Sequence, residues 1–259
     1  MPELPEVETI VSGLAPLLAG RRIVAVEVVA GLVVKTALDG LAGNLIERVH
    51  RHGKTVVVQC TGGVLTIHLG MTGKLLVNGL RTPYTRVAFT LDDGMLLYDD
   101  IRQFGRLHWG ASLPAHLAAL GPDPLDIPLE DFLARLKTRR GAIKPVLLDQ
   151  KFVRGIGNIY ADECLYRAGI HPKANAARLS RPRATGLHTA IQDTLGLAIA
   201  YRGSSISDYV DASGVRGGFQ MFHQVYGKEG EPCTLCGHAI RRIVIAQRGT
   251  HYCPKCQRT

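Results

Sequence analysis

The chain has 259 residues and a net charge of +9, and 46% of its residues are apolar. This apolar content is typical of a folded globular protein and excludes a disordered chain. The positive charge favours a polyanionic partner such as nucleic acid, although a generically basic protein would have the same composition. There is no charged leader before an apolar segment and no apolar run of about 18 residues, so we expect neither export nor membrane insertion.

The N-terminus has the first chemical signal, a proline that follows the initiator methionine and has two carboxyl groups close by. If Met1 is removed, Pro2 presents a secondary amine, which can attack an electrophilic carbon and form an iminium ion. Glu3 and, one helical turn further on, Glu6 can move the protons that this chemistry needs. The same residues also form an ordinary helix start with acidic residues in its first turn. The motif alone leaves both interpretations open.

A helix and a series of strands are predicted for the first half of the chain. Apolar residues recur at helical spacing over 5–18. Residues 22–110 then contain short β-branched segments, with hairpin turns at 62–63 and 93–94, which predict an antiparallel β-sandwich. The predicted strands are 22–30, 45–50, 55–60, 64–69, 75–78, 86–91, 95–99 and 106–109.

Composition changes after this region and divides the chain into three predicted domains. A proline-rich stretch over 111–128 marks a boundary, and residues 129–202 have helical periodicity. The Gly/Ser-rich segment 203–220 is predicted to be a mobile loop, and a small cysteine module follows from 225 to 259. We therefore expect an α+β multidomain protein with domains 1–115, 116–224 and 225–259: a β-sandwich flanked by helices, a helical domain and a β-hairpin module.

The C-terminal module contains two Cys-x2-Cys knuckles separated by 16 residues, formed by Cys233, Cys236, Cys253 and Cys256. This spacing predicts a tetrathiolate zinc site, with a disulfide pair or a redox motif as the alternative. Because four cysteines leave no open ligand position, such a zinc ion would be structural. Between the knuckles, residues 241–250 predict a β-hairpin. Arg248, near its tip, is either a phosphate ligand or a solvated turn arginine.

A second turn motif lies within residues 152–163. Gly155 and Gly157 let the backbone turn tightly, and Asn158 is predicted to cap the helix that follows. A helix N-terminus after a glycine turn is an anion site, for which a DNA phosphate is the candidate. The Gly-x-Gly pattern also occurs in dinucleotide-binding loops, but the strand and the third glycine that such loops need are missing.

Together these motifs resemble those of the formamidopyrimidine-DNA glycosylases, the bacterial base-excision repair superfamily that includes endonuclease VIII. The resemblance covers nearly the whole chain. It rests on the N-terminal start, residues 52–54, 68–73 and 102–105, the Gly-Ile-Gly-Asn-Ile-Tyr turn and the cysteine module, in the family's order. It implies a helix–two-turn–helix DNA-binding domain, a zinc finger with one structural Zn2+, and a monomer of the bacterial cytoplasm that acts on double-stranded DNA containing oxidised bases.

The resemblance also implies the chemical roles of four residues. Pro2 is the nucleophile that attacks C1′ of the damaged nucleotide, and Glu3 is the acid that protonates the opening sugar. Glu6 positions the sugar or a water molecule. Lys54 contacts a phosphate beside the lesion and supports the acid–base steps. Since the nitrogen of Pro2 is an amide while Met1 is attached, the active enzyme must begin at Pro2.

A further set of residues is implied to hold the DNA. Asn158 and Arg248 grip the backbone around the extruded nucleotide, so that Arg248 counts among both the catalytic and the DNA-binding residues. Met71, Arg102 and Phe104 fill the void in the duplex, and Arg102 faces the orphaned cytosine. A long apolar side chain and an aromatic ring are suitable wedges for unstacked DNA, although either residue type is more often part of a core.

The resemblance implies removal of 8-oxoguanine and formamidopyrimidines, followed by strand cleavage through β,δ-elimination. The Leu4-Pro5 start, the intact 102–104 group and the long 204–220 segment favour this branch over endonuclease VIII. Gln103 departs from the arginine that is common in the family. Two alternatives stay open: an endonuclease VIII-like glycosylase for oxidised pyrimidines, and a catalytically silent protein that binds damaged DNA.

Overall fold

The structure, a computed structural model, describes residues 1–206, 209–212 and 214–259. It divides into two compact units, the first formed by residues 1–119 and 199–220 and the second by residues 120–198 and 221–259. The predicted division at residues 115 and 224 separates the cysteine module from the helices and stays a prediction. Among the described residues, no helix has the length and apolar content needed to span a membrane.

The first unit contains the predicted antiparallel β-sandwich. Its strands are β1 (Ile23–Val28), β2 (Ile46–His52), β3 (Thr55–Cys60), β4 (Gly63–His68), β5 (Lys74–Val77), β6 (Thr85–Leu91), β7 (Met95–Asp99) and β8 (Arg106–Gly110). They form two four-stranded sheets with the orders β1-β6-β7-β5 and β2-β3-β4-β8. Each strand lies within two residues of its predicted position, because alternating β-branched residues define strands locally.

Helix α1 (Leu4–Leu18) lies against this sandwich, as its apolar spacing predicts. Val7, Ile10 and Leu14 are buried in the same hydrophobic core as side chains of both sheets. Pro5 lies in the first turn, where its missing N–H has no helical partner to lose. The chain terminus is therefore fixed to the core by the first turns of a buried helix.

Two hairpin turns of the first unit bear on the site. Gly53 and Lys54 join β2 to β3, and Gly53 has a φ of +61°, which a residue with a side chain rarely adopts. The turn predicted at residues 62–63 is one residue too late, since Gly63 pairs with Cys60 within the sheet. The 93–94 turn is present, with Gly94 at a φ of +92°.

The helical and cysteine-containing parts form the second unit. Its helices are α3 (Leu129–Lys137), α4 (Ile143–Leu148), α5 (Asn158–Arg167) and α6 (Arg181–Ala200), of which the last two residues belong to the first unit. A hairpin of β9 (Arg241–Ile245) and β10 (Arg248–Tyr252) follows. In the first unit, the proline-rich stretch contains a short helix that the sequence patterns do not predict, α2 (Ala115–Ala118), which begins directly after Pro114. A proline is tolerated there because the start of a helix needs no backbone donor.

Candidate functional site

The first turn of α1 organises the N-terminal residues. Glu3 is the N-cap, and its carboxylate and that of Glu6 form a reciprocal capping box. The backbone N–H of Glu3 donates to Oε2 of Glu6 at 2.8 Å, and both side chains are buried. Pro2, which precedes them, is also buried. The two carboxyl groups therefore have different positions. That of Glu3 lies at the helix start, next to Pro2 in the chain, and that of Glu6 points toward the backbone N–H of Glu3.

Glu6 also contacts the segment 203–220, which is distant in sequence but belongs to the same unit. Its Oε1 accepts the backbone N–H of Ser204 at 2.7 Å, and the hydroxyl of Tyr209 lies 3.3 Å from its carbonyl oxygen. A Cβ on Gly203 would lie 2.6 Å from Oε1 of Glu6, so the close approach requires glycine there. The predicted mobile loop 203–220 is therefore anchored at its start. Residues 207, 208 and 213 of that loop lie outside the described residues.

The turn that contains Lys54 is held against α1 by a half-buried ion pair. Nε of Arg51 lies 2.6 Å from Oε2 of Glu8, with 7% of the arginine side chain exposed. Nη1 of the same arginine donates to the carbonyl of Gly53 at 3.4 Å. The position of Lys54, which is half-buried, thus depends on contacts made by the helix that begins beside Pro2.

A cavity of about 600 Å³ in the first unit is lined by two of the predicted residues and by the sequence neighbours of two others. Its lining includes Met1, next to Pro2, and Thr55, next to Lys54, together with Met71 and Phe104. His68 also lines it, and its Nδ1 accepts the N–H of Gly70 at 3.1 Å. Burial, with nearby Arg106 and Lys54, lowers the pKa of His68, which favours the neutral imidazole that this hydrogen bond needs.

The predicted void-filling side chains project from the protein surface. Met71 is 41% exposed and Phe104 is 54% exposed, so neither belongs to the hydrophobic core. The guanidinium carbon of Arg102 lies 4.7 Å from the centre of the Phe104 ring, which is a cation–π contact. Exposed apolar side chains held in defined positions are typical of binding surfaces.

In the second unit, Asn158 lies beside the hairpin that contains Arg248. The prediction that Asn158 caps α5 is wrong, because the extended residue Gly157 is the N-cap and Asn158 is the first helical residue. Its Nδ2 instead donates to the carbonyl of Gly249 at 3.0 Å. The hairpin turns through Ala246 and Gln247, both with positive φ, as in the two-residue turns that fit antiparallel strands.

A buried ion pair that sequence reasoning missed holds the same hairpin in place. Nζ of Lys144 lies 2.7 Å from Oδ1 of Asp162, and both side chains are completely buried. The same Nζ donates to the carbonyl of Gly249 and to the hydroxyl of Thr250, at 3.0 and 2.9 Å. Oδ2 of Asp162 accepts the N–H of His251 at 2.9 Å. Loss of one partner from such a pair costs about 3–5 kcal/mol, so α4, α5 and β10 are firmly joined.

The four cysteines of the two knuckles form one cluster in which all Sγ atoms lie within 4.8 Å of one another. Sγ of Cys233 lies 3.8 Å from that of Cys256, and Sγ of Cys236 lies 3.4 Å from that of Cys253. A tetrahedral zinc ion with Zn–S bonds of about 2.3 Å separates its sulfur ligands by about 3.8 Å. The hydroxyl of Tyr166 lies 3.2 Å from Sγ of Cys233, where it can support a thiolate ligand. The donor set therefore fits one structural zinc ion.

This zinc site predicts the result of a metal analysis. The wild-type chain should contain about one zinc ion per molecule, because four thiolates complete the coordination of the ion. The double variant Cys253→Ser/Cys256→Ser should contain far less. Cys60→Ala is the matched control, since Cys60 is buried in the hydrophobic core of the first unit and is not part of the cysteine cluster. Well under one zinc ion per wild-type chain would contradict the assignment.

Comparison with known proteins agrees with this arrangement. Three family models match in chain order: the formamidopyrimidine-DNA glycosylase N-terminal domain over residues 1–107, the formamidopyrimidine-DNA glycosylase H2TH domain over residues 120–210, and a zinc finger found in FPG and IleRS over residues 230–259. A formamidopyrimidine-DNA glycosylase of Solibacter usitatus is 50% identical over 264 residues, with both chains covered completely.

Solved structures show the same similarity. The MutM (FPG) protein of Thermus thermophilus is 39% identical, with a TM-score of 0.90 over 99% of this chain and 98% of its own. A variant of the Lactococcus lactis FPG, solved with Fapy-dG containing DNA, is 36% identical, with a TM-score of 0.91 over 100% of both chains. The Lactococcus lactis protein has also been solved with DNA that contains an oxidized pyrimidine. The predicted fold class and the zinc finger are thereby confirmed, and the chain belongs to the formamidopyrimidine-DNA glycosylase family.

Proposed function

We propose that this chain is a bifunctional DNA glycosylase and AP lyase that removes oxidised purines from duplex DNA and then cleaves the strand. The observation that supports this most strongly is the cavity of about 600 Å³ whose lining includes Met1, which precedes Pro2, Thr55, which follows Lys54, and the exposed Met71 and Phe104. Two wedge side chains border this space, and we infer that the nucleophile Pro2 and the cation Lys54 act from positions next to it. Family membership gives the reaction class.

The nucleophile in this proposal is the nitrogen of Pro2 once Met1 has been removed. Its lone pair forms a bond to C1′ of the damaged nucleotide while the bond from C1′ to the base breaks. The sugar ring then opens as Glu3 protonates its ring oxygen, which leaves an iminium ion between Pro2 and the sugar. Loss of a C2′ proton expels the 3′ phosphate, and a second elimination expels the 5′ phosphate. Water then hydrolyses the iminium, which releases the sugar remnant as an aldehyde, frees Pro2 and leaves a one-nucleotide gap.

The target nucleotide must leave the duplex before Pro2 can reach C1′. Met71 and Phe104 are already exposed, so they can enter the space that the nucleotide vacates without first unpacking from a core. Arg102 has donors that can bind the Watson–Crick edge of the unpaired partner, which we propose to be cytosine. Its contact with the Phe104 ring keeps the guanidinium beside the wedge.

Phosphate binding in this proposal depends on Lys54, Asn158 and Arg248. Gly249 accepts one of the two amide hydrogens of Asn158, and we propose that the second binds a phosphate oxygen. Arg248 is exposed at the first position of β10, next to the hairpin turn. The buried contacts of Lys144 hold this hairpin, so the backbone that carries Arg248 has a fixed position. Backbone contacts of this kind position DNA without reading its sequence.

Oxidised purines are proposed as substrates because of the relatives' name and the segment 204–220. The oxidized pyrimidine complex of the Lactococcus lactis protein means that binding of a pyrimidine lesion alone does not identify the endonuclease VIII branch. Relative excision rates separate the two possibilities. The relatives named above are bacterial, and we propose a bacterial cytoplasmic protein that acts as a monomer on DNA.

Borohydride reduction of a reaction mixture tests the enzymatic proposal. Protein that begins at Pro2 should be trapped on DNA containing 8-oxoguanine opposite cytosine, because borohydride reduces the iminium ion to a stable amine. The same chain with a retained N-terminal extension is the matched control and should form no adduct. Faster excision of thymine glycol than of 8-oxoguanine would favour the endonuclease VIII-like alternative. If the processed protein forms no adduct on any lesion, the silent DNA-binding alternative is correct.

The role of Arg248 predicts a change in salt dependence. Arg248→Ala should weaken binding to duplex DNA and make the negative slope of log K against log salt concentration shallower by about 0.9, the value for one phosphate contact. Arg241→Ala is the matched control, since Arg241 is exposed and pairs with Tyr252 at the other end of the hairpin. Equal slopes for wild type and Arg248→Ala would remove Arg248 from the phosphate contacts.

A further inference from the structure

A completely buried carboxylate lies beneath the wedge residues of the first unit. Asp100 follows β7, and none of its surface is exposed. Its Oδ1 accepts the hydroxyl of Thr72 at 2.5 Å, and its Oδ2 accepts the N–H of Gly105 at 2.8 Å. The hydroxyl of Tyr98 lies 3.2 Å from the same Oδ2. Burial raises the pKa of Tyr98, which keeps this hydroxyl protonated and able to donate.

These contacts join two loops that are distant in sequence. Thr72 directly follows Met71, and its hydroxyl also accepts the N–H of Arg102 at 3.0 Å. Gly105 directly follows Phe104. Through Asp100 and Thr72, one hydrogen-bonded network therefore holds the backbone on both sides of Phe104 and the residue beside Met71.

The two loops are also in direct contact. A Cβ on Gly70 would lie 2.7 Å from both the nitrogen of Gly105 and the carbonyl carbon of Phe104. A Cβ on Gly105 would lie 1.6 Å from the hydroxyl oxygen of Tyr98. Between Arg102 and Phe104, Gln103 has a φ of +54°, a conformation that persists only where surrounding contacts impose it. Neither loop can move far without disturbing the other.

We propose that Asp100 and Thr72 are positioning residues that fix the spacing of Met71 and Phe104, so that the two wedges enter the duplex as one preformed unit. The inference rests on the proposed function, because it assigns a purpose to the wedge. Its physical basis is that a buried carboxylate left without a donor is costly, so the network strongly favours a single arrangement of the two loops. When a preformed wedge binds DNA, the two loops do not have to be ordered, so this free-energy cost of binding is avoided.

A pair of substitutions at Thr72 isolates the hydroxyl. Thr72→Val keeps the shape of the side chain and removes the hydrogen bonds, whereas Thr72→Ser keeps the hydroxyl and is the matched control. Binding to duplex DNA with a tetrahydrofuran abasic analogue, and 2-aminopurine opposite it, reports wedge insertion without any chemistry. We expect Thr72→Val to lower the affinity about tenfold and to reduce the fluorescence change, and Thr72→Ser to stay within about twofold of wild type.

Two further measurements separate positioning from general damage. Affinity for the single-stranded form of the same DNA should not change in Thr72→Val, since no partner strand has to be wedged apart. In a Met71→Ala background, Thr72→Val should cause much less than its tenfold loss, because the wedge that it positions is already absent. If Thr72→Val does not fold, Asp100→Asn provides the same test, because its amide cannot accept from both loops.

The inference is overturned if Thr72→Val matches Thr72→Ser on duplex DNA, or if its single-strand and duplex affinities fall equally. It is also overturned if the losses in Thr72→Val and Met71→Ala simply add. These binding readouts need no catalysis. A wild-type protein that forms no borohydride adduct but shows the expected pattern at Thr72 would therefore refute the proposed reaction and leave the positioning role intact.

Discussion

The first turn of α1 is the constraint on which the rest of the site depends, because the proposed nucleophile is a backbone nitrogen. A side-chain nucleophile can change its rotamer, whereas the nitrogen of Pro2 moves only with the helix that follows it. The reciprocal hydrogen bonds of Glu3 and Glu6 define that turn, and the buried apolar face of α1 fixes it to the sandwich. Glu6 uses its other carboxylate oxygen for the backbone of Ser204, so the segment 204–220 is anchored to the same turn.

In each unit, exposed side chains that we propose to contact DNA are supported by buried polar contacts. Met71 and Phe104 project from loops that are joined below the surface by Asp100, and Arg248 projects from a hairpin held by Lys144. Long or apolar side chains at a surface cannot by themselves keep a fixed direction, since their rotamer entropy favours disorder. A buried, fully hydrogen-bonded network favours one backbone geometry strongly enough to direct them. The zinc site has the same role in the module 225–259, because so short a segment cannot bury a sizeable core without a metal.

Local patterns in the sequence predicted most of the architecture, because strands, amphipathic helices and cysteine knuckles are each defined by residues close together in the chain. The buried network residues were missed, since their partners are remote: Thr72 and Asp100 are 28 residues apart, and Lys144 and Thr250 are 106 apart. One signal was available for Lys144, which lies among the apolar residues of a short helix where a solvated lysine is not expected. The cap assigned to Asn158 failed for a local reason, because Gly157 in an extended conformation already ends the turn. The side chain of Asn158 is therefore available to donate to the hairpin, at the carbonyl of Gly249.

Peptide mapping of the trapped adduct is the most direct test of the central claim that the chain terminus performs the chemistry. Protein that begins at Pro2 would be reduced with borohydride on DNA containing 8-oxoguanine, digested and examined by mass spectrometry. We predict that the sugar remnant is attached to the nitrogen of Pro2, in the N-terminal peptide. Attachment to a lysine side chain, such as that of Lys54, would contradict this claim and would leave the buried first turn of α1 without a catalytic purpose.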